Sequence, residues 1–404
     1  MIHIPPGFST IDGELGIAGR KASDWVDQAG QTPVFVYDRN LIQRRIASLR
    51  SLLPSEVAIH YAIKANPLPE LLRWIAPLVD GFDVASAGEL HQALTAIDGR
   101  RISFAGPGKR DAELRAAIAV SATINIESGG ELERAAAIAR LIDKPLHAAL
   151  RINPPFEMKA SGMRMGGGAR PFGVDAEQAP DILQRMKQLE VIFEGFHVFA
   201  GSQNLSSDAV IEAQARTIDL VAALTPFAPC LPALVNIGGG FGLPYFPGDT
   251  PLDVRAVGEA LGDQIAGRPD CLSGTRFALE LGRYLVGESG VYLTRVVDRK
   301  VSQGETFLVV DGGLHHQLAA SGNFGTVIRR NYPLANASQY DAADAELVNI
   351  VGCLCTPLDR LGERVTLPVS QVGDLVVVFM AGAYGATASP SGFLGHGPAA
   401  EIFA

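Results

Sequence analysis

Val57-Ala58-Ile59-His60-Tyr61-Ala62-Ile63-Lys64-Ala65-Asn66-Pro67 alternates apolar with small or polar residues and then stops at Asn66-Pro67. That is the pattern of a half-buried strand ending in a loop. Residues 69–78 follow with apolar side chains at helical spacing, so the stretch reads as one strand-helix unit. Lys64 falls at the end of the strand. An ammonium held against apolar walls has its charged form disfavoured, which frees the amine as a nucleophile or Schiff-base partner. An ordinary surface lysine at a strand end is the alternative at this point.

The same unit recurs outward from this stretch. Strands are expected near 57–63, 80–84, 101–105, 122–126, 146–152, 191–198, 233–237 and 275–281. Segments such as 69–78, 87–97, 111–120, 130–141 and 208–224 carry Ala, Leu and Glu at helical spacing between them. Eight βα units match the count and length of a (β/α)8 TIM barrel, with an open doubly wound sheet as the competing arrangement. Upstream, Asp38 can cap a helix through Leu41, Ile42, Ile46 and Leu49. Past Gly287 the rhythm gives way to short runs rich in β-branched residues at 290–301, 305–311, 347–354, 365–370 and 374–379. The expected division is a barrel over 36–284 and an all-β domain over 285–404, joined by residues 1–35.

Composition narrows the function classes. A chain of 404 residues, 47% hydrophobic and 19% charged, reads as a globular protein of about two domains. A net charge of -9 with no long basic run argues against nucleic acid or an anionic membrane as partner. It leaves room for a local phosphate pocket. No apolar run reaches the roughly 18 residues needed to span a bilayer, and Met1-Ile2-His3-Ile4-Pro5-Pro6 lacks a charged segment followed by an apolar one. The default is a cytoplasmic protein. Cys230, Cys271, Cys353 and Cys355 are too few and too scattered for a disulfide framework. The neighbourhood of Cys353-Leu354-Cys355 offers too few ligands for zinc, so no metal is expected.

A barrel gathers its active site at the C-terminal strand ends. Lys64, Asp83, Arg151, His197 and Glu280 end strands one, two, five, six and eight in this reading, a set of charges that one rim rarely collects by accident. Gly238-Gly239-Gly240-Phe241-Gly242 follows strand seven, and Glu280-Leu281-Gly282-Arg283 closes strand eight. Glycines let backbone N–H groups approach an anion and Arg283 adds a forked donor, so the two loops read as a phosphate cradle. A Schiff-base lysine opposite a phosphate cup suggests pyridoxal phosphate. Glu280 would then face the pyridine nitrogen and strengthen the electron sink. His197 would lie on the ring, unless it is a hydrogen-bonded core histidine. The long glycine-rich segment between Asn153 and Val174, with Lys159, Arg164 and Met165, reads either as a lid or as a plain connector.

Over nearly its whole length the chain resembles the fold-type III pyridoxal-phosphate decarboxylases, the diaminopimelate, ornithine and arginine decarboxylase group. The likeness rests on Tyr61-Ala62-Ile63-Lys64-Ala65-Asn66, Phe82-Asp83-Val84-Ala85-Ser86 with Gly88-Glu89, Leu150-Arg151-Ile152-Asn153 and Gly201-Ser202-Gln203. It continues through the 238–242 glycines, Glu280-Leu281-Gly282-Arg283, Val310-Asp311-Gly312-Gly313, Cys355 and Gly382-Ala383-Tyr384-Gly385. The resemblance implies an alanine-racemase-like barrel, a C-terminal all-β domain, and a homodimer with shared active sites. It gives Lys64 the Schiff base, His197 the ring face and Glu280 the ring nitrogen. Ser202, Gly238, Gly239, Gly240, Arg283 and Tyr384 would hold the phosphate. Cys355 would come from the partner subunit as proton donor, with Thr356, Asp359 and Tyr384 near the substrate.

The departures bear on substrate. Diaminopimelate decarboxylases carry an acidic residue directly after the cysteine, where Thr356 stands here. Their arginine after the Asp-Ala-Gly segment is replaced by His315-His316-Gln317. Between His197 and Gly201 the chain has two residues more than the usual spacing. The 355–359 segment, Phe393-Leu394-Gly395-His396 and Pro6-Gly7-Phe8 look closer to the decarboxylases of exosortase and exopolysaccharide clusters and to those acting on a carrier-linked glutamyl group. The expected reaction is therefore α-decarboxylation of an L-amino acid other than free diaminopimelate, free or bound to a carrier protein. A racemase or aldolase on the same barrel, or a non-catalytic regulatory homologue, are the alternatives.

Overall fold

Eight parallel strands close on themselves in the computed structural model, which describes residues 4–322 and 330–404. They are β1 (Val57–Ala62), β2 (Gly81–Val84), β3 (Ile102–Phe104), β4 (Thr123–Ile126), β5 (His147–Asn153), β6 (Ile192–Val198), β7 (Leu234–Gly239) and β8 (Arg276–Leu281). Each pairs with the next, β8 returns to β1 through Leu279 and Ile59, and the seam between β4 and β5 is made by Ile124 with Ala148 and Ile126 with Leu150. A ring has no free edge, which excludes the open doubly wound sheet and bears out the TIM barrel.

Helices follow the strands where the spacing placed them, at Pro69–Ile75, Ala87–Leu94, Asp111–Ala119, Gly129–Leu141 and Ser207–Leu224, with further ones at Ala179–Gln188 and Val254–Ala266. Two starts use the same device. Ser86 Oγ accepts from Glu89 N (3.1 Å) while Glu89 accepts from Ala85 N (2.7 Å). Ser128 Oγ accepts from Glu131 N (3.1 Å) while Glu131 accepts from Glu127 N (2.8 Å). In each case a Ser-x-x-Glu box satisfies helix N–H groups that would otherwise lack partners, just after β2 and just after β4.

The chain divides into two compact units. The barrel unit comprises 45–243 and 251–284, and the second comprises the described residues up to Arg44, 244–250 and 285–404. The expected 35/36 boundary falls inside the strand Val34–Tyr37, and the helix Arg39–Leu52 runs across the 44/45 division of the two units. In the second unit the long strand Gly290–Ser302 pairs with Val34–Tyr37, Glu305–Val310 and Leu375–Val378. Ala345–Val351 and Arg360–Pro368 extend that sheet, and Ala400–Phe403 adds to Val34–Tyr37. One expected strand is shorter. The 347–354 run ends at Val351, because Asp359 pulls the following loop inward, accepting from Leu314 N (2.7 Å) and Leu354 N (2.9 Å). No helix among the described residues is long and apolar enough to cross a membrane. The leader-free reading of Met1-Ile2-His3 and the middle of the segment after His316, residues 323–329, lie outside the described residues.

Candidate active site

Lys64 sits in a single helical turn, Ile63–Ala65, immediately past β1. Its side chain is 47% exposed, and its Nζ lies 3.6 Å from Glu280 Oε1 and 5.7 Å from the centre of the Phe199 ring. The expected apolar enclosure is therefore corrected: the amine is held by charge pairing, with one aromatic face nearby. Gly282 makes the approach of β8 to this turn possible, since a Cβ there would meet Ala62 O at 3.1 Å and Ala65 Cβ at 3.0 Å.

Glu280 is buried on β8, and its Oε2 lies 2.9 Å from His197 Nε2 at the end of β6. Burial pushes the Glu280 carboxyl up, but Lys64 and His197 outweigh it and hold it at about 2. The carboxylate is therefore ionised at neutral pH. Asp83 on β2 is also buried, 3.5 Å from His60 Nδ1. Burial lowers His60 and the Asp83 carboxylate raises it further, for a net rise. His60, which has no assigned role in the sequence motif, alternates with Tyr61 along β1 and faces Asp83.

Arg151, expected among the cofactor residues, lies on β5, and its charge adds to the pull that holds the Glu280 carboxyl down. It donates to Glu127 (2.9 Å) and lies over the Phe172 ring at 5.2 Å. Glu127 belongs to a buried set in which Lys109 Nζ donates to Glu131 (2.6 Å) and to the carbonyls of Gly106 and Asn125, both at 2.8 Å. Burial lowers Lys109 against the pull of Glu131 and Glu127. These three residues escaped the sequence reading because charges after short strands look like solvated loop residues. Their signal was position: all follow β3 or β4.

The proposed phosphate loops meet backbone to backbone. Asn204 N donates to Gly240 O (2.9 Å) and Gly242 N to Asn204 O (2.8 Å), while the Gln203 side chain bridges both ways to Leu243 (2.6 and 3.2 Å). Gln203 adopts a left-handed backbone at φ 57°, as do Gly238 and Gly240 at 71° and 70°. A Cβ on Gly240 would stand 2.1 Å from Gly201 O, and one on Gly239 would stand 2.4 Å from Glu280 O. Beside them Ser202 Oγ is buried with no hydrogen-bond partner. A buried hydroxyl left unpaired costs about 1–3 kcal/mol, so an oxyanion received here would offset that cost. Arg283 follows β8 on the same rim. The segment expected as lid or connector runs along this edge, Met163 pairing with Ser202 and Asn153 Nδ2 donating to Gly168 O (2.9 Å).

Gly240→Ala is expected to destabilise the protein by about 1–3 kcal/mol, from the left-handed backbone and the close approach to Gly201. Urea unfolding checks this, and wild-type stability in the variant would show that the two loops are not held as tightly as their geometry says.

Cys355, Thr356, Asp359 and Tyr384 belong to the β unit. Cys355 is exposed on the 352–359 loop, Thr356 N donates to Leu354 O (2.8 Å), and Tyr384 has a left-handed backbone at φ 59°. Asp359 is buried with both oxygens taken by backbone donors, which makes it the anchor of the loop that carries Cys355. In the same unit His315 is fully buried and pushed down to about 4, first by burial and then by His316 and His396.

The residues of the barrel rim fit pyridoxal phosphate: an orphaned hydroxyl and glycine backbones for the phosphate, a permanent carboxylate for the ring nitrogen, and one lysine amine beside that carboxylate. Comparison with known proteins agrees. The family described as pyridoxal-dependent decarboxylase, pyridoxal binding domain, matches residues 39–287. The chain is 37% identical over 379 residues to an L-glutamyl-[BtrI acyl-carrier protein] decarboxylase of Niallia circulans, covering 92% of this chain and 88% of that one. It is 29% identical to the 2-[(L-alanin-3-ylcarbamoyl)methyl]-2-hydroxybutanedioate decarboxylase of Staphylococcus aureus, covering 90% and 91%. Among solved structures, diaminopimelate decarboxylase from M. jannaschii in co-complex with L-lysine superposes with a TM-score of 0.90 at 25% identity, covering 99% of this chain and 93% of that one.

Proposed function

We propose, because this chain belongs to the fold-type III pyridoxal-dependent decarboxylases, that its substrate is an L-amino acid whose far end is conjugated, a glutamyl group on a carrier protein being the first candidate. The enzyme is a pyridoxal-phosphate-dependent carboxy-lyase. One observation carries the chemistry: a single amine, Lys64, lies 3.6 Å from a buried carboxylate that remains ionised.

When bound, pyridoxal phosphate supplies an electron sink for the pair left behind as CO2 departs. The chain does the rest. Ser202, Gly238, Gly239, Gly240, Arg283 and Tyr384 would hold the phosphate, and Glu280 keeps a negative charge where a ring nitrogen needs a proton retained. His197 is oriented by its contact with Glu280, which fixes its ring against the site. Lys64 Nζ would hold the cofactor through its aldehyde carbon, and the Glu280 carboxylate 3.6 Å away keeps that amine in place. Cys355 Sγ would deliver the proton that replaces the lost carboxyl at the α-carbon.

The substrate reading rests on two supports. The Niallia circulans relative acts, by its name, on a carrier-protein glutamyl group. In this chain the residue after Cys355 is the neutral Thr356, where the resemblance to diaminopimelate decarboxylases would place an acid. We extend the reading to a cytoplasmic homodimer with shared sites, for which the exposed Cys355 and four free cysteines are the support.

CO2 release from L-glutamyl thioesters of a carrier protein, compared with free L-glutamate, L-ornithine and meso-diaminopimelate, tests the proposal. Turnover of the conjugate at least about tenfold above the free amino acids is expected, a difference of ~1.4 kcal/mol in transition-state binding. Equal or better turnover of free diaminopimelate would overturn the substrate assignment and leave the decarboxylase chemistry standing.

A further inference from the structure

Three side chains far apart in sequence converge in the β unit. His315, Cys353 and His396 bring their ligating atoms to within 4.8 Å of one another, and Cys353 Sγ lies 3.9 Å from each ring nitrogen of His396. The burial is graded: His315 is fully buried, Cys353 is partly exposed and His396 stands at the surface. The loop pinned by Asp359 carries Cys353, and the turn after Asp311-Gly312-Gly313 carries His315. No element of the sequence pattern joins them, which is why Cys353 looked short of ligands.

A second observation points independently to a ligand. Neither His315 ring nitrogen has a hydrogen-bond partner, although the residue has no exposure at all. Its neighbour shows the contrast. The His316 ring lies tilted beside it at 3.8 Å between centroids, yet both of its nitrogens are engaged, with Tyr292 Oη at 3.1 Å and Gly397 O at 2.9 Å. Buried imidazoles satisfy their nitrogens almost without exception, since each orphan costs about 1–3 kcal/mol. A neutral imidazole with a free lone pair, facing a thiol and a second imidazole, is a ready donor to a cation.

We propose that His315, Cys353 and His396 form a binding site for a borderline divalent transition-metal ion of the zinc class. Two nitrogens and one thiolate suit that class rather than magnesium or calcium, which prefer oxygen. Tetrahedral bonds of about 2.0–2.1 Å to nitrogen and 2.3 Å to sulfur put ligand atoms roughly 3.3–3.6 Å apart. The observed spacing, up to 4.8 Å, is wider by up to roughly 1.2–1.5 Å, and side-chain rotation of the surface residue His396 narrows its share of that gap. Binding displaces the Cys353 thiol proton to solvent and replaces its weak contact to Asp311 O (3.5 Å). Three protein ligands leave a fourth position on the His396 side, where solvent reaches.

The full-length holoenzyme, stripped with chelator and dialysed, is titrated with Zn2+ and separately with Co2+. The expected result is one metal per chain by elemental analysis, and a Co2+ difference spectrum with thiolate charge-transfer and tetrahedral d–d bands. Cys353→Ser should abolish the charge-transfer band, and His396→Ala, at the surface and harmless to packing, should weaken Zn2+ by about 10²-fold, given that even outer-shell partners cost 10–100-fold. Cys355→Ser should leave the bands in place. Metal retained unchanged by both the Cys353 and His396 variants, a band lost with Cys355 instead, or no stoichiometric metal in the wild type would each overturn the site. None of these readouts depends on decarboxylase activity.

Discussion

Lys64→Ala is expected to lower CO2 release by about 10³-fold or more, equivalent to ~4 kcal/mol of barrier, and to lose covalent retention of the cofactor after borohydride reduction. The amine lies 3.6 Å from Glu280, and Lys109, the other rim lysine described above, is locked to Glu131 at 2.6 Å and cannot swing across to replace it. Folding should hardly change, because the side chain is half exposed and its removal opens no buried cavity. Mass spectrometry of the reduced protein gives the answer directly. Cofactor still attached to the alanine variant would mean that another amine does the work, and the whole assignment of the rim would fail.

Glu280→Gln is the second. Glutamine keeps the shape and can still meet His197, so the variant removes charge alone. A decrease in kcat of about 10²- to 10³-fold is expected, ~3–4 kcal/mol, with a smaller change in KM. The sign of the pH effect follows from the carboxyl's depression to about 2 in the folded protein. A depressed carboxyl adds stability above its unfolded value near about 4.3 and loses it only as pH falls toward 2. The Glu280 titration is thus displaced far to the acid side, and the acid limb of the wild-type profile is expected to report some other group. The glutamine variant should show the same limb at a lower height. A limb that moves or vanishes in the variant would show that Glu280 titrates during turnover.

Most of the barrel was legible before any coordinates. Strand existence follows from alternation, and the expected strand 191–198 and the observed Ile192–Val198 differ by one residue. The rim residues Lys64, Asp83, His197 and Glu280 were legible because polar groups ending apolar strands stand out against the pattern. Arg151 stands out for the same reason, whereas its partner Glu127 does not, since it looks like loop polarity. What stayed hidden was contact between segments far apart in the chain: the pinning of the 352–359 loop by Asp359 and the meeting of Cys353 with two histidines. Periodicity reports which face of an element is buried. It carries no information on which loops come to share a neighbourhood.

The sealed set of Lys109, Glu127, Glu131 and Arg151 has a historical consequence. Two acids and two bases enclosed together balance one another, so losing any single one strands an opposite charge, at ~3–5 kcal/mol. Descent by single steps through that corner is therefore close to closed, whereas the neighbouring surface loops are open to drift. A lineage that reshaped this enzyme for a new amino acid would have had to leave that corner alone and experiment elsewhere.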